Sequence, residues 1–209
     1  MDTIGKHVLK RLKESTTGRH ANCKALRLSD SVVTPRGHVN VYRDHEMVPD
    51  EIWSAVCECC DGRSPWPMTM IGGVGVGKTC AALCVYDVVC GGRRYVNTAD
   101  MVKRITDMRR DLVSDSEADY WRDWRNAKLV ILDELGARER VSDAHYEIVK
   151  NAIDQRAGRP AIFISNLSLG DLAGVYDDRI ASRLAGGTVV DMMDWTDRRL
   201  EGESNANDT

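Results

Sequence analysis

Eight consecutive residues, Gly72-Gly73-Val74-Gly75-Val76-Gly77-Lys78-Thr79, have the types and spacing to hold a polyphosphate. Gly72, Gly77, Lys78 and Thr79 satisfy G-x4-G-K-[ST], the spacing of a phosphate-binding loop. Glycines let the backbone curl so that successive N–H groups face an anion without a Cβ in the way, and a helix N-terminus adds a favourable dipole. From that loop Lys78 reaches the β- and γ-phosphates of ATP, the Thr79 hydroxyl ligates Mg2+, and Cys80 continues the binding segment. The other explanation, a glycine-rich turn followed by a chance Lys-Thr, is disfavoured by context. A short apolar strand, Met68 to Ile71, precedes the loop and a helix follows it.

A second chemical element is Leu129-Val130-Ile131-Leu132-Asp133-Glu134, a buried strand carrying two acids at its carboxyl end, where α/β sheets bind ligands. Asp133 would hold Mg2+, directly or through water, and Glu134 would polarise an attacking water as general base, a role typically worth about 10²–10⁴-fold. Asn166 ends the strand Ile162-Phe163-Ile164-Ser165 and could orient that water or sense the γ-phosphate, although an Asn after a strand is more often a turn former. Arg179 and Arg183 stand one turn apart on a helix. They pair with Asp177, Asp178 or the preceding loop, or else Arg183 is an arginine finger inserted into a neighbouring subunit's ATP, an effect of about 10³–10⁵ in rate.

The elements that must position these groups alternate between short apolar strands and amphipathic helices from Met68 onward, the pattern of a parallel sheet covered on both faces. Strands are expected at 68–71, 94–97, 129–132, 161–165 and 188–190. Helices are expected at 78–89, from a Thr98 cap with Met101, Ile105, Met108 and Leu112 on one face, and from Ser142 with Tyr146, Val149 and Ile153 on one face. Ser168 and Asp171 make a capping box before a further helix, and a second helical stretch runs through 179–184. Upstream, residues 50–60 form a helix closed by Gly62 and Ser64-Pro65-Trp66-Pro67, and residues 31–34 and 38–42 flank Pro35-Arg36-Gly37 as a hairpin.

Bulk properties narrow the setting. The chain has 209 residues, enough for one well-buried domain with an extension. No apolar run approaches the roughly 20 residues needed to cross a bilayer, and the N-terminus does not read as a secretory signal, so a cytoplasmic protein is expected. In that setting the seven cysteines stay reduced. Cys57 and Cys60 form a CxxC that could bind zinc, but Ile52, Val56, Cys59 and Cys60 also fit the buried face of a helix, which is the favoured reading. Residues 1–30 carry seven basic and three acidic side chains, a basic head on an acidic body. Ile4, Val8, Leu9 and Leu12 make residues 3–14 an amphipathic helix suited to a polyanion or an acidic partner, or simply a solvated face.

The order of these motifs resembles the AAA+ ATPases of the DnaC/IstB-like helicase-loader and transposition-helper type. The resemblance covers roughly residues 46–195, and its carriers are Gly72 to Thr79, Leu132-Asp133-Glu134-Leu135-Gly136, Ser165-Asn166, and Arg179-Ile180-Ala181-Ser182-Arg183-Leu184. It implies a P-loop NTPase of the AAA+/ASCE class with a five-stranded parallel sheet in the order 5-1-4-3-2. It also implies ATP at the interfaces of a homo-oligomer, contact with single-stranded DNA, and delivery of a hexameric replicative helicase. Two departures bear on it. The family grips its helicase through an N-terminal domain longer than the 45 residues here, which makes the helix at 3–14 the substitute candidate. The residues after Val190 are too few for a helical lid, leaving Arg198 or Arg199 to approach the nucleotide.

The expected organisation is therefore a basic extension over 1–45, an ATPase core over 46–200 and a polar, disordered tail over 201–209. For DNA the candidate surface is Lys103, Arg104, Arg109 and Arg110 with the cluster Tyr120-Trp121-Arg122-Asp123-Trp124-Arg125, since aromatics stack bases and arginines meet phosphates. Trp121 and Trp124, just before a core strand, are better read as core. Rival functions are a transposition-helper ATPase, a nucleotide-gated binding module with marginal hydrolysis, and a P-loop kinase, in which Asn166 and Arg183 would lose their purpose.

Overall fold

A computed structural model describes residues 33–34, 37–38, 48–89, 92–137 and 141–197. The expected helix at 3–14, Arg198, Arg199 and the tail lie outside the described residues. Val33–Thr34 (β1) and Gly37–His38 (β2) pair antiparallel across Pro35-Arg36, the core of the expected hairpin. Asp50–Cys60 (α1) follows, with Asp50 and Glu51 complementing the dipole of its first turn and Ile52, Val56, Cys59 and Cys60 buried along one face. The cysteines therefore sit where the core reading puts them.

The sheet consists of Met68–Gly72 (β3), Arg93–Asn97 (β4), Leu129–Leu135 (β5), Ala161–Ser165 (β6) and Thr188–Met192 (β7). All contacts between them are parallel, in the order β4-β5-β6-β3-β7. Numbered within the sheet alone this is 5-1-4-3-2, as the resemblance implies. Because side chains alternate along a strand, β5 feeds two cores. Leu129 and Ile131 join Ile52 and Val56 of α1 and Leu83 of Lys78–Val88 (α2) on one face. Val130 and Leu132 meet Met101 and Ile105 of Thr98–Arg109 (α3), Trp124 of Glu117–Asn126 (α4) and Val149 of Asp143–Asp154 (α5) on the other. Leu169–Val175 (α6) and Asp178–Ala185 (α7) complete that layer through Leu172, Ile180 and Leu184. Each such aliphatic side chain, fully buried, contributes about 1.5–3 kcal/mol. No helix among the described residues is long and apolar enough to cross a membrane.

Two local expectations change. Asn97, not Thr98, caps α3, its side chain accepting from Ala99 N, while Thr98 lies inside the helix and is buried. Leu112 is 66% exposed, because α3 ends at Arg109 and Asp111 takes a positive φ of 55°, so the apolar stripe stops one turn early. The aromatic cluster is itself a helix, α4, capped by Ser116. Ser142 and the Ser168–Asp171 capping box do start α5 and α6.

Candidate functional site

The phosphate loop runs from the end of β3 to the start of α2. Gly72 pairs with Met192 of β7 so closely that a Cβ there would lie 2.7 Å from the Met192 carbonyl oxygen. Gly75 and Gly77 hold φ of 82° and 100°, a region that disfavours any side chain, and Gly77 is the N-cap of α2. The result is a tight turn that opens onto the N-terminus of α2, where helix N–H groups and the dipole favour an anion. Lys78 is 5% exposed, and its Nζ donates to the carbonyls of Gly72 at 2.7 Å and Gly73 at 2.6 Å. An ammonium so held can trade those carbonyls for phosphate oxygens without leaving the loop. Cys80 is half-buried on α2, and the Asp197 side chain packs against Gly75.

Parallel pairing sets Asn97 of β4 beside Asp133 of β5 at the carboxyl edge of the sheet. Asp133 is 4% exposed. Its Oδ2 accepts from the Thr79 hydroxyl at 2.9 Å and the Tyr95 hydroxyl at 2.7 Å, and its Oδ1 from the Glu134 N–H at 2.8 Å. The loop threonine and the strand acid, 54 residues apart, thus meet as expected. A buried carboxylate beside a hydroxyl is a hard-oxygen donor set that fits Mg2+. Burial raises the Asp133 pKa, against hydrogen bonds from Tyr95, Thr79 and the Glu134 backbone that lower it, and the neighbouring Glu134 charge raises it further.

That shift has a consequence for stability. A raised folded pKa means the native chain holds the proton more tightly than the unfolded one. The contribution is therefore fully present below the unfolded value of about 3.9 and is lost as pH rises through the folded one. Asp133→Asn keeps the shape, and the Tyr95 and Thr79 hydroxyls can rotate to accept from the new amide. The variant is expected to melt above wild type at pH 8, with the gain shrinking toward pH 4. Thermal unfolding at the two pH values checks this; an equal or lower melting temperature at pH 8 contradicts it.

Glu134 is exposed and holds φ of 60°, within a register shift between β5 and β6 that spans Leu132 to Leu135. Its Oε2 accepts from Asn97 Nδ2. Asn166 is exposed one residue beyond β6. Ser165, the residue before it, pairs with Ile71, the residue before the loop.

The arginines are arranged otherwise. Asp177 caps α7, accepting from Ile180 N at 2.8 Å, and is itself held by the Tyr146 hydroxyl at 2.6 Å. Arg179 is exposed in the first turn of α7. Arg183 forms an ion pair with Asp154 at the end of α5, replacing the partners expected from its own helix and the preceding loop. Lys150 also approaches Asp154, at 3.5 Å.

On the α3–α4 face, most of the candidate DNA-binding cations are paired. Lys103 meets Asp107, Arg104 meets Asp115, Arg122 meets Asp119, and Arg109 grips Glu117 through two bonds of 2.8 and 2.7 Å. Trp121 and Trp124 are buried, their indole N–H groups donating to Glu117 at 2.9 Å and to the Ala152 carbonyl at 3.0 Å. The tryptophans are core, as favoured.

Three residues were not singled out from sequence. Tyr95 and Asn97 stand two apart on β4, so they share a face, and the signal was available in that period once β4 was set beside the acid strand. Arg156 gave no signal. It is 1% exposed and donates to the carbonyls of Trp124, Arg125 and Ala127 at 3.0–3.1 Å and to that of Pro160, pinning the entry to β5. Burial and nearby Arg159 lower its pKa to about 10, so it stays charged at neutral pH.

A parallel 5-1-4-3-2 sheet with a glycine loop and a strand acid meeting at its carboxyl edge defines a P-loop nucleotide-binding protein of the AAA+ class. Residues 63–186 match the IstB-like ATP binding proteins. The chain belongs to that family. Among solved structures, AMPPCP-bound DnaA from Aquifex aeolicus aligns with a TM-score of 0.60 at 18% identity, over 77% of this chain and 52% of that one. The DnaC helicase loader aligns with a TM-score of 0.53 at 23% identity, over 60% and 77% of the two chains, and DnaI with 0.52 at 17%, over 70% and 87%. This chain spans about half the length of the DnaA protein it matches, and at these identities the likeness is one of fold. No curated protein matches.

Proposed function

We propose that this chain is an ATP-hydrolysing, DnaC-like helicase loader. The observation that carries the enzymatic part is the convergence of Thr79, Asp133 and Glu134 at the loop that holds Lys78. In this reading the loop N–H groups and Lys78 bind the phosphates of ATP, while Thr79 and Asp133 hold Mg2+. The bound metal neutralises charge on the β- and γ-phosphates. Glu134, released from Asn97, orients the attacking water with Asn166. Arg183 leaves Asp154 to enter the ATP site of the next subunit in a homo-oligomer, with Arg179 supporting it. Asp154 is half-buried, and Lys150, 3.5 Å away, remains to partner the carboxylate that Arg183 leaves. Exposed ion pairs are typically worth about 1 kcal/mol or less, which lets the paired cations of α3 exchange their acids for single-stranded DNA phosphates.

Delivery of a replicative helicase is supported by the likeness to the DnaC helicase loader, with the basic extension over 1–45 docking the partner and the core over 46–200 acting as a cytoplasmic switch. The IstB-like family match favours a second reading, a transposition-helper ATPase with the same core and a different partner. The purified chain is expected to co-elute with the purified hexameric replicative helicase of its host in ATP, and less in ADP. Co-elution only with a transposase selects the second reading, and no nucleotide-dependent binding to either contradicts both.

A further inference from the structure

Thr79 explains only half of what holds the Asp133 carboxylate. The same Oδ2 takes a second, shorter hydrogen bond of 2.7 Å from the Tyr95 hydroxyl, against 2.9 Å from Thr79. Tyr95 comes from β4, the edge strand, and its ring packs against the cluster that contains Leu129 and Ile131, so the hydroxyl is aimed by a rigid element. The carboxylate is closed in further by its own backbone: its Oδ1 takes the Glu134 N–H, and its carbonyl takes the Thr98 hydroxyl at 2.7 Å. Of the three donors to the carboxylate oxygens, Thr79 belongs to the nucleotide reading and the Glu134 N–H to the adjoining backbone, which leaves Tyr95 to be explained. Its hydroxyl is spent on the Asp133 carboxylate, from the strand that also carries Asn97.

We propose that Tyr95 is the positioning residue for the metal-binding carboxylate, holding Asp133 Oδ2 toward Thr79 so that the pair binds Mg2+ with nucleotide. The inference rests on the nucleotide-site reading above. Its physical basis is that a buried carboxylate has little water to orient it, so its rotamer and its charge depend on the donors supplied. When Thr79 turns an oxygen lone pair to the metal, its hydrogen must still find Asp133, and a carboxylate fixed by Tyr95 is already in place to accept it. Removing such an outer partner typically weakens metal binding about 10–100-fold. A phenylalanine at 95 keeps the ring and its packing and deletes only the hydroxyl.

The test is a titration of fluorescent ADP binding with MgCl2, backed by Mn2+ binding to the protein–ADP complex followed by electron paramagnetic resonance. Tyr95→Phe is expected to need about tenfold more Mg2+ for half-maximal nucleotide binding and to bind Mn2+ correspondingly more weakly, with its nucleotide affinity in EDTA unchanged. An unshifted metal dependence in Tyr95→Phe overturns the role of Tyr95 while leaving the nucleotide site standing. A loss of nucleotide affinity in EDTA as large as that in Mg2+ also overturns it, since that marks a general packing role. Absence of nucleotide binding by the wild type overturns the site itself, and the inference with it.

Discussion

Lys78→Ala is expected to bind ATP roughly 30- to 4,000-fold more weakly than wild type. The range follows from truncating one partner of a buried, hydrogen-bonded charge contact, which costs about 2–5 kcal/mol, at about 1.4 kcal/mol per tenfold. The ammonium is almost fully enclosed and already lies across the loop, bonded to the carbonyls of Gly72 and Gly73. It is therefore preorganised, and little ordering entropy offsets its contribution when phosphate replaces those carbonyls. The fold should survive, because the apolar packing of α2 is carried by Leu83 and Cys84. Titration with a fluorescent ATP analogue checks this. Wild-type affinity in a folded Lys78→Ala protein contradicts the assignment of the loop.

What could be read from the chain and what could not divide along a physical line. The loop at 72–79 and the acids at 133–134 were legible because their chemistry depends on local spacing: glycines that permit φ of 82° and 100°, and a run of apolar residues that ends in two carboxylates. The capping box at Ser168–Asp171 was legible for the same reason. Strand order was not in the periodicity of any segment. It came from the resemblance, and the pairing of β3 with both β6 and β7 agrees with it.

Residues whose roles depend on which strand lies beside which were missed. Asn97 looked like the end of an edge strand until the register set it against Asp133 and its amide met Glu134. Tyr95 is only one residue of that strand until the same register brings its hydroxyl to Asp133. The partner of Arg183 lies on α5, almost thirty residues earlier, and helix spacing alone pointed instead to Asp177 and Asp178. Arg109 and Glu117 are brought together by the turn between α3 and α4, which also carries Leu112 into solvent. That turn depends on the positive φ at Asp111, a non-glycine residue that gives little warning in sequence.

Glu134 carries the central claim, that ATP bound here is hydrolysed. Its backbone is held at a φ rare for a side chain of its size, at a bulge between Leu132 and Leu135 in the pairing of β5 with β6, and its exposed carboxylate is restrained by the Asn97 amide. Glutamine at 134 keeps the length and the polarity and removes the basicity. Glu134→Gln is therefore expected to bind ATP as wild type does while losing about 10²–10⁴-fold in turnover, the usual contribution of a positioned general base. The most direct measurement is phosphate release by the purified protein and by Glu134→Gln, with Mg2+ and ATP, in the presence and absence of single-stranded DNA. Wild-type turnover above the Glu134→Gln level in at least one condition is the predicted result. Turnover no greater than that of Glu134→Gln in both would contradict the claim and leave a nucleotide-gated binding module in its place.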